Sequence, residues 1–161
     1  MLLVSSIRSH PLVFIGKKEL EKIPFFGYIY KKTMILVDRS SNESKKNVFL
    51  QTEKKLKEGI SIAIFPEGTV PSLDVTLGPF KHGAFSIAID HKTPIVPMTF
   101  LDNKKRFPWS YGGLLAGSKG SPGQLRVKIH DPIITKNMTK KDVNALCNKV
   151  RDIILLDLET S

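Results

Sequence analysis

The sequence predicts an α/β fold, a largely parallel central sheet flanked by helices, and three observations carry that prediction. Short apolar, β-branched runs alternate with helical patterns along the chain, as strand–helix–strand units require. The run Ile60–Phe65 (ISIAIF) is apolar at all but Ser61, as expected of a strand covered on both faces. No linker, repeat or low-complexity stretch interrupts the 161 residues, a length that fits one domain with a substantial core. Residues 1–161 are therefore read as a single domain.

Each element has a local cause. Leu12–Ile15 is a short apolar run ended by Gly16, and the helical pattern KKELEK follows. Pro24 opens the segment PFFGYIYKK, after which Met34–Asp38 (MILVD) reads as a buried strand. Ser41 or Asn42 can cap a helix that runs through Glu58 and stops at Gly59. Beyond ISIAIF, the loop PEGTVPSLDVTLGPF leads into a helix around His82–His91. Pro94–Phe100 (PIVPMTF) reads as a strand whose prolines suit an edge or irregular segment. Residues 102–123 hold five glycines and two prolines and read as a long loop. In Gln124–Asp131 the side chains alternate, with Leu125, Val127 and Ile129 on one face and Arg126, Lys128 and His130 on the other. Thr139 caps the last helix with Asp142 at the capping-box position. Val143, Leu146, Cys147, Val150, Ile154 and Leu158 share one stripe of that helix, which makes Cys147 a core residue.

Composition narrows the function. A hydrophobic fraction of 41% and a charged fraction of 25% are those of a folded body, not a disordered one. No apolar run approaches the ~20 residues of a membrane-spanning helix, and the N-terminus lacks the basic start of a signal peptide. The single cysteine excludes an intrachain disulfide, and no Cys/His spacing suggests a metal site. The formal charge of +10 implies attraction to polyanions. A nucleic-acid partner would call for clustered cations, stacking aromatics and a recognisable module. Neither cluster nor module is present, so nucleic acid is not an expected partner. An anionic membrane surface is, since each Lys or Arg near one contributes roughly 1 kcal/mol. Aromatics mixed with cations at Phe25–Lys32, and again at Lys104–Tyr111 around Trp109, suit the interfacial zone. The first group can equally be core; the Trp109 loop is the better interfacial candidate.

The sharpest chemical feature is Phe65-Pro66-Glu67-Gly68-Thr69, directly after a buried strand, where α/β sheets place their ligands. Pro66 and Gly68 suit a tight turn that frees Glu67 and Thr69 to point into a cleft. Phe80-Lys81-His82-Gly83-Ala84 sets a lysine near a helix start, where N–H groups and the helix dipole favour an anion. Arg39, ending another strand, can add a guanidinium whose fork grips two phosphate oxygens.

Together these pieces resemble the lysophosphatidic acid acyltransferase family, the glycerolipid acyltransferases related to bacterial PlsC proteins. KKELEKIPFFG resembles the stretch after that family's first motif and Thr33–Arg39 (TMILVDR) its second. Phe65–Thr69 (FPEGT) resembles the third and Pro94–Pro97 (PIVP) the fourth, with Phe80–Ala84 (FKHGA) between them. The resemblance covers residues 12–100, in order. It implies a glycerolipid acyltransferase-like fold and transfer of a fatty acyl group from acyl-CoA or acyl-carrier protein to lysophosphatidic acid, giving phosphatidic acid. No bound cofactor is implied. Arg39, Glu67, Gly68, Thr69 and Lys81 match positions that shape the acceptor's phosphate and glycerol site. Peripheral attachment to the cytoplasmic face of a membrane is expected.

The family's general base is a histidine followed five residues later by an aspartate that orients it. Five residues after His10, His82, His91 and His130 stand Ile15, Ile87, Val96 and Thr135, so the motif is absent. The resemblance implies that Met1 falls just downstream of it, the chain being truncated at its N-terminus relative to the family. The alternative to an active enzyme is a lipid-phosphate binding chain that does not turn over. Two smaller departures are Thr33, where the second motif usually has glycine, and Val70, where arginine commonly follows FPEGT.

Overall fold

The computed structural model describes residues 11–38, 41–72, 74–106 and 120–160. The chain forms two compact units, residues 1–65 and 66–161.

In the first unit, β1 (Leu12–Lys17) pairs in parallel with β2 (Met34–Val37) on one side and with β3 (Ser61–Ala63) on the other. Phe14 and Ile35 are the buried members of this sheet. The KELEK segment forms a short 3-10 turn, Lys18–Lys22, instead of an α-helix, and α1 (Phe26–Thr33) follows. Gly27 and Tyr30 make up the buried side of α1. Any side chain at Gly27 would overlap the carbonyl of Glu21, so glycine is what lets helix and turn meet. Helix α2 (Asn42–Lys57) packs on β2 and β3. Of the two expected caps, Ser41 is the one used: its hydroxyl accepts the Ser44 N–H at 3.1 Å. Gly59, at φ 74, ends the helix. Around it the Gly59 and Ile60 N–H groups return to the carbonyls of Leu56 and Lys55, a closure that a left-handed residue makes possible.

In the second unit, α3 (Gly83–Asp90) packs against α5 (Val143–Glu159). Phe85 and Ile89 meet Val143, Leu146, Cys147 and Val150 in a buried cluster, with Ile154 packed against it. Cys147 is thus a core residue, its thiol pushed up by burial. Thr139 and Asp142 form the expected capping box, although a 3-10 turn, Lys140–Asp142, intervenes before α5. Strand β4 (Met98–Phe100) pairs antiparallel with β5 (Val127–Ile129). Both are shorter than their sequence patterns. Pro97 has no N–H to continue a ladder, and upstream only a single bridge joins Ile95 to Ile133. Part of the expected loop is helical, as α4 (Asn103–Arg106). The Arg106 guanidinium donates to Ser121 Oγ and to the carbonyls of Pro122 and Gln124. Phe107, Trp109 and Tyr111 lie outside the described residues.

Candidate functional site

The chain leaves β3 and turns at Pro66-Glu67, with Gly68 at φ 68, a backbone state that strains other residues. Two hydrogen bonds stitch the base of the loop that follows. The Lys81 N–H donates to the Pro66 carbonyl at 2.8 Å. The Gly78 N–H donates to Glu67 Oε2 at 2.7 Å. A Cβ at Gly78 would stand 2.9 Å from that oxygen, so glycine is what admits the carboxylate so close. From α5, the Arg151 guanidinium donates to the carbonyls of Leu77 at 3.1 Å and Gly78 at 3.3 Å. The peptide at Gly78 is therefore held from both sides. Beneath this loop lies a cavity of about 320 Å³, walled mainly by Val75, Pro79 and Phe80, with Glu67, Thr69 and Lys81 supplying polar groups.

Four sequence-predicted residues thus come together. Glu67 lines the cavity but commits one carboxylate oxygen to the loop. Gly68 makes the turn. Thr69 and Lys81 are exposed at the cavity, and among the described residues neither side chain has a hydrogen-bond partner. The main-chain N–H of Lys81 is already used, so only its ammonium group faces a ligand. Helix α3 begins two residues later at Gly83, with His82 as a cap whose side chain makes no capping bond. Arg39 lies outside the described residues. Among these residues no His/Cys/Asp/Glu group could hold a metal, and no helix is long and apolar enough to cross a membrane.

Sequence reasoning missed the buried polar groups of the second unit. Asp157 accepts from Thr99 Oγ1 at 2.7 Å and Lys128 Nζ at 2.6 Å, and pairs with His130 Nε2 at 2.7 Å. Burial opposes its charge, yet the bonds from Lys128, Thr99 and His130 together hold its carboxyl below the usual aspartate range. The cluster ties β4, β5 and α5 together, so the polar side of β5 meets α5, while Ile129 is 49% exposed. One signal was legible: Asp157 falls seven residues after Val150, on the apolar stripe of α5. Likewise Arg126 grips Asp102 through two side-chain nitrogens and its own main-chain N–H. Those bonds hold Asp102 well below the ordinary carboxylate range.

Comparisons with known proteins agree on one group. The family model described as Acyltransferase matches residues 1–101. The 1-acyl-sn-glycerol-3-phosphate acyltransferase of Escherichia coli K12 is 34% identical over 158 residues, covering 96% of this chain and 60% of that protein. The enzyme of the same name from Haemophilus influenzae is 31% identical, covering 96% and 61%. A chloroplastic one from Brassica napus is 34% identical, covering 88% and 38%. The crystal structure of the 1-acyl-sn-glycerophosphate acyltransferase PlsC from Thermotoga maritima superposes with a TM-score of 0.68. It is 25% identical, covering 92% of this chain and 56% of that one. The chain spans less than two thirds of the length of each of these relatives.

Proposed function

The chain belongs to the Acyltransferase family, and from that premise we propose that it moves a fatty acyl group onto the free hydroxyl of lysophosphatidic acid, giving phosphatidic acid. In that reaction the hydroxyl oxygen bonds to the thioester carbonyl of acyl-CoA or acyl-carrier protein. The hydroxyl proton passes to a base, the C–S bond breaks, and the departing thiolate takes that proton from the base to leave as the thiol. The observation that carries the reading is the stitched FPEGT loop, with a free ammonium at Lys81 and a free hydroxyl at Thr69 over one apolar-walled cavity. A phosphomonoester needs such donors, and the walls suit the glycerol and the start of an acyl chain. Glu67 acts here mainly by shaping the loop that presents them. Arg39 would add a second cation. The site of action is the cytoplasmic face of a membrane, where both lipids reside, and the +10 charge favours that surface.

A second reading, a lipid-phosphate binder without turnover, has one observation in its favour: no histidine is followed five residues later by aspartate. An acylation assay with labelled acyl-CoA separates the two, because only the first yields phosphatidic acid. Both readings expect lysophosphatidic acid to bind more tightly than monoacylglycerol, which lacks the phosphate. Lys81→Ala should cut that preference about tenfold or more, since a hydrogen bond to a charged group contributes ~1.5–3 kcal/mol. Equal binding of the two lipids would sink both readings.

A further inference from the structure

We propose that α1 and the turn entering it form the surface by which this chain docks on an anionic lipid bilayer. The proposal rests on the reading that the chain works at a membrane and not on its chemistry.

Large apolar side chains crowd one short stretch of the surface. Phe25 is 92% exposed, Tyr28 67%, Ile29 63% and Phe26 45%, with Ile23 beside them. Single exposed apolar residues are ordinary, but a contiguous patch marks an interaction site. Nor is the exposure a by-product of a loose segment. Gly27 and Tyr30 anchor the opposite side of the helix, both buried. Phe25 itself has φ 59 and ψ −52, and the Phe26 N–H donates to the Pro24 carbonyl at 2.6 Å. This is a γ-turn centred on a non-glycine residue, a rare and strained arrangement. Local strain of this kind gathers at working surfaces. Here it holds an aromatic ring almost wholly in water.

The rim selects the occupant. Lys17, Lys18 and Lys22 precede the patch and Lys31 and Lys32 follow it, all exposed, against Glu19 and Glu21. Lys32 Nζ donates to the Tyr28 hydroxyl at 2.6 Å and stands 4.3 Å from the ring centre. Aromatic rings girdled by lysines fit the boundary between acyl chains and anionic headgroups. A second copy of the chain would instead bring lysines against lysines.

The test is flotation of the full chain with vesicles of phosphatidylcholine alone and of phosphatidylcholine mixed with phosphatidylglycerol. The chain should float with the mixed vesicles only. Phe25→Gly removes the ring while relaxing the backbone, so the variant should melt no lower than the wild type. It should nevertheless bind the mixed vesicles about tenfold more weakly or worse. Replacing Lys31 and Lys32 together with alanine should weaken binding about 30-fold. If the wild type floats but Phe25→Gly floats equally well, this face is not the docking surface, although the membrane reading stands. If the wild type floats with neither vesicle, both fall. Self-association through the patch, abolished by Phe25→Gly with vesicle binding unchanged, would also overturn the proposal.

Discussion

Arg151 lies on α5, yet its guanidinium holds the carbonyls of Leu77 and Gly78, more than seventy residues earlier. Arg151→Ala removes both bonds and leaves two partly buried peptide oxygens without their charged partner. Each such loss costs ~1–3 kcal/mol. The bonds, at 3.1 and 3.3 Å, are partly buried, and lie at the long end of the normal range and just past it. The lower end therefore applies to each, about 2 kcal/mol in all. Urea unfolding should show a lower midpoint with an unchanged slope, and the melting temperature should fall by about 4–8 °C. Amide exchange at Gly78 should quicken, because Glu67 then grips a peptide held on one side only. Arg151→Lys should fall between, since an ammonium has no planar fork to span two carbonyls. A variant within about 0.5 kcal/mol of the wild type, with Gly78 exchange unaltered, would refute the clamp.

Gly78→Ala sets a methyl 2.9 Å from Glu67 Oε2 and should cost about 1–2 kcal/mol; adding Glu67→Ala should cost little more, and full additivity in urea unfolding would contradict the shared bond. Asp157 has its pKa lowered in the fold, so its contribution is full above the ordinary value of 3.8 and is lost as pH falls through the lowered value. The wild type should therefore lose more stability between pH 5 and pH 3 than Asp157→Asn, and parallel losses would count against the cluster. Because burial raises the Cys147 thiol, a thiol reagent at neutral pH should label the folded chain slowly and track unfolding in denaturant; native labelling at the rate of a free thiol would show the core assignment wrong.

Elements whose cause is local were legible in the sequence. Ser41, Gly59 and the Thr139–Asp142 box mark helix ends by their own chemistry, and ISIAIF announces a strand by composition, although only Ser61–Ala63 form it, half-buried at the sheet edge instead of covered on both faces. What escaped depends on partners distant in the chain. Thr99 and Asp157 stand 58 positions apart, and no local pattern couples them. Periodicity placed Lys128 and His130 on one side of β5 but could not say that a buried carboxylate waited there. At Phe25–Lys32, aromatic content alone could not separate buried side chains from exposed ones. The answer came from Gly27 packing on the Lys18–Lys22 turn, which seats Tyr30 inward and leaves Phe25 and Tyr28 outside. The turn at Glu67 was readable, whereas the destination of its carboxylate depended on Gly78.

The two stitches at Pro66–Lys81 and Glu67–Gly78 also divide the loop into parts with separate duties. Its foot fixes the main chain at Pro66, Glu67, Gly78 and Lys81 whatever the tip does. Lengthening a closed tip is cheap, about 0.6 kcal/mol for each doubling. Substitutions at Val75, which walls the cavity from this tip, should therefore enlarge or narrow it while leaving both stitches as they are.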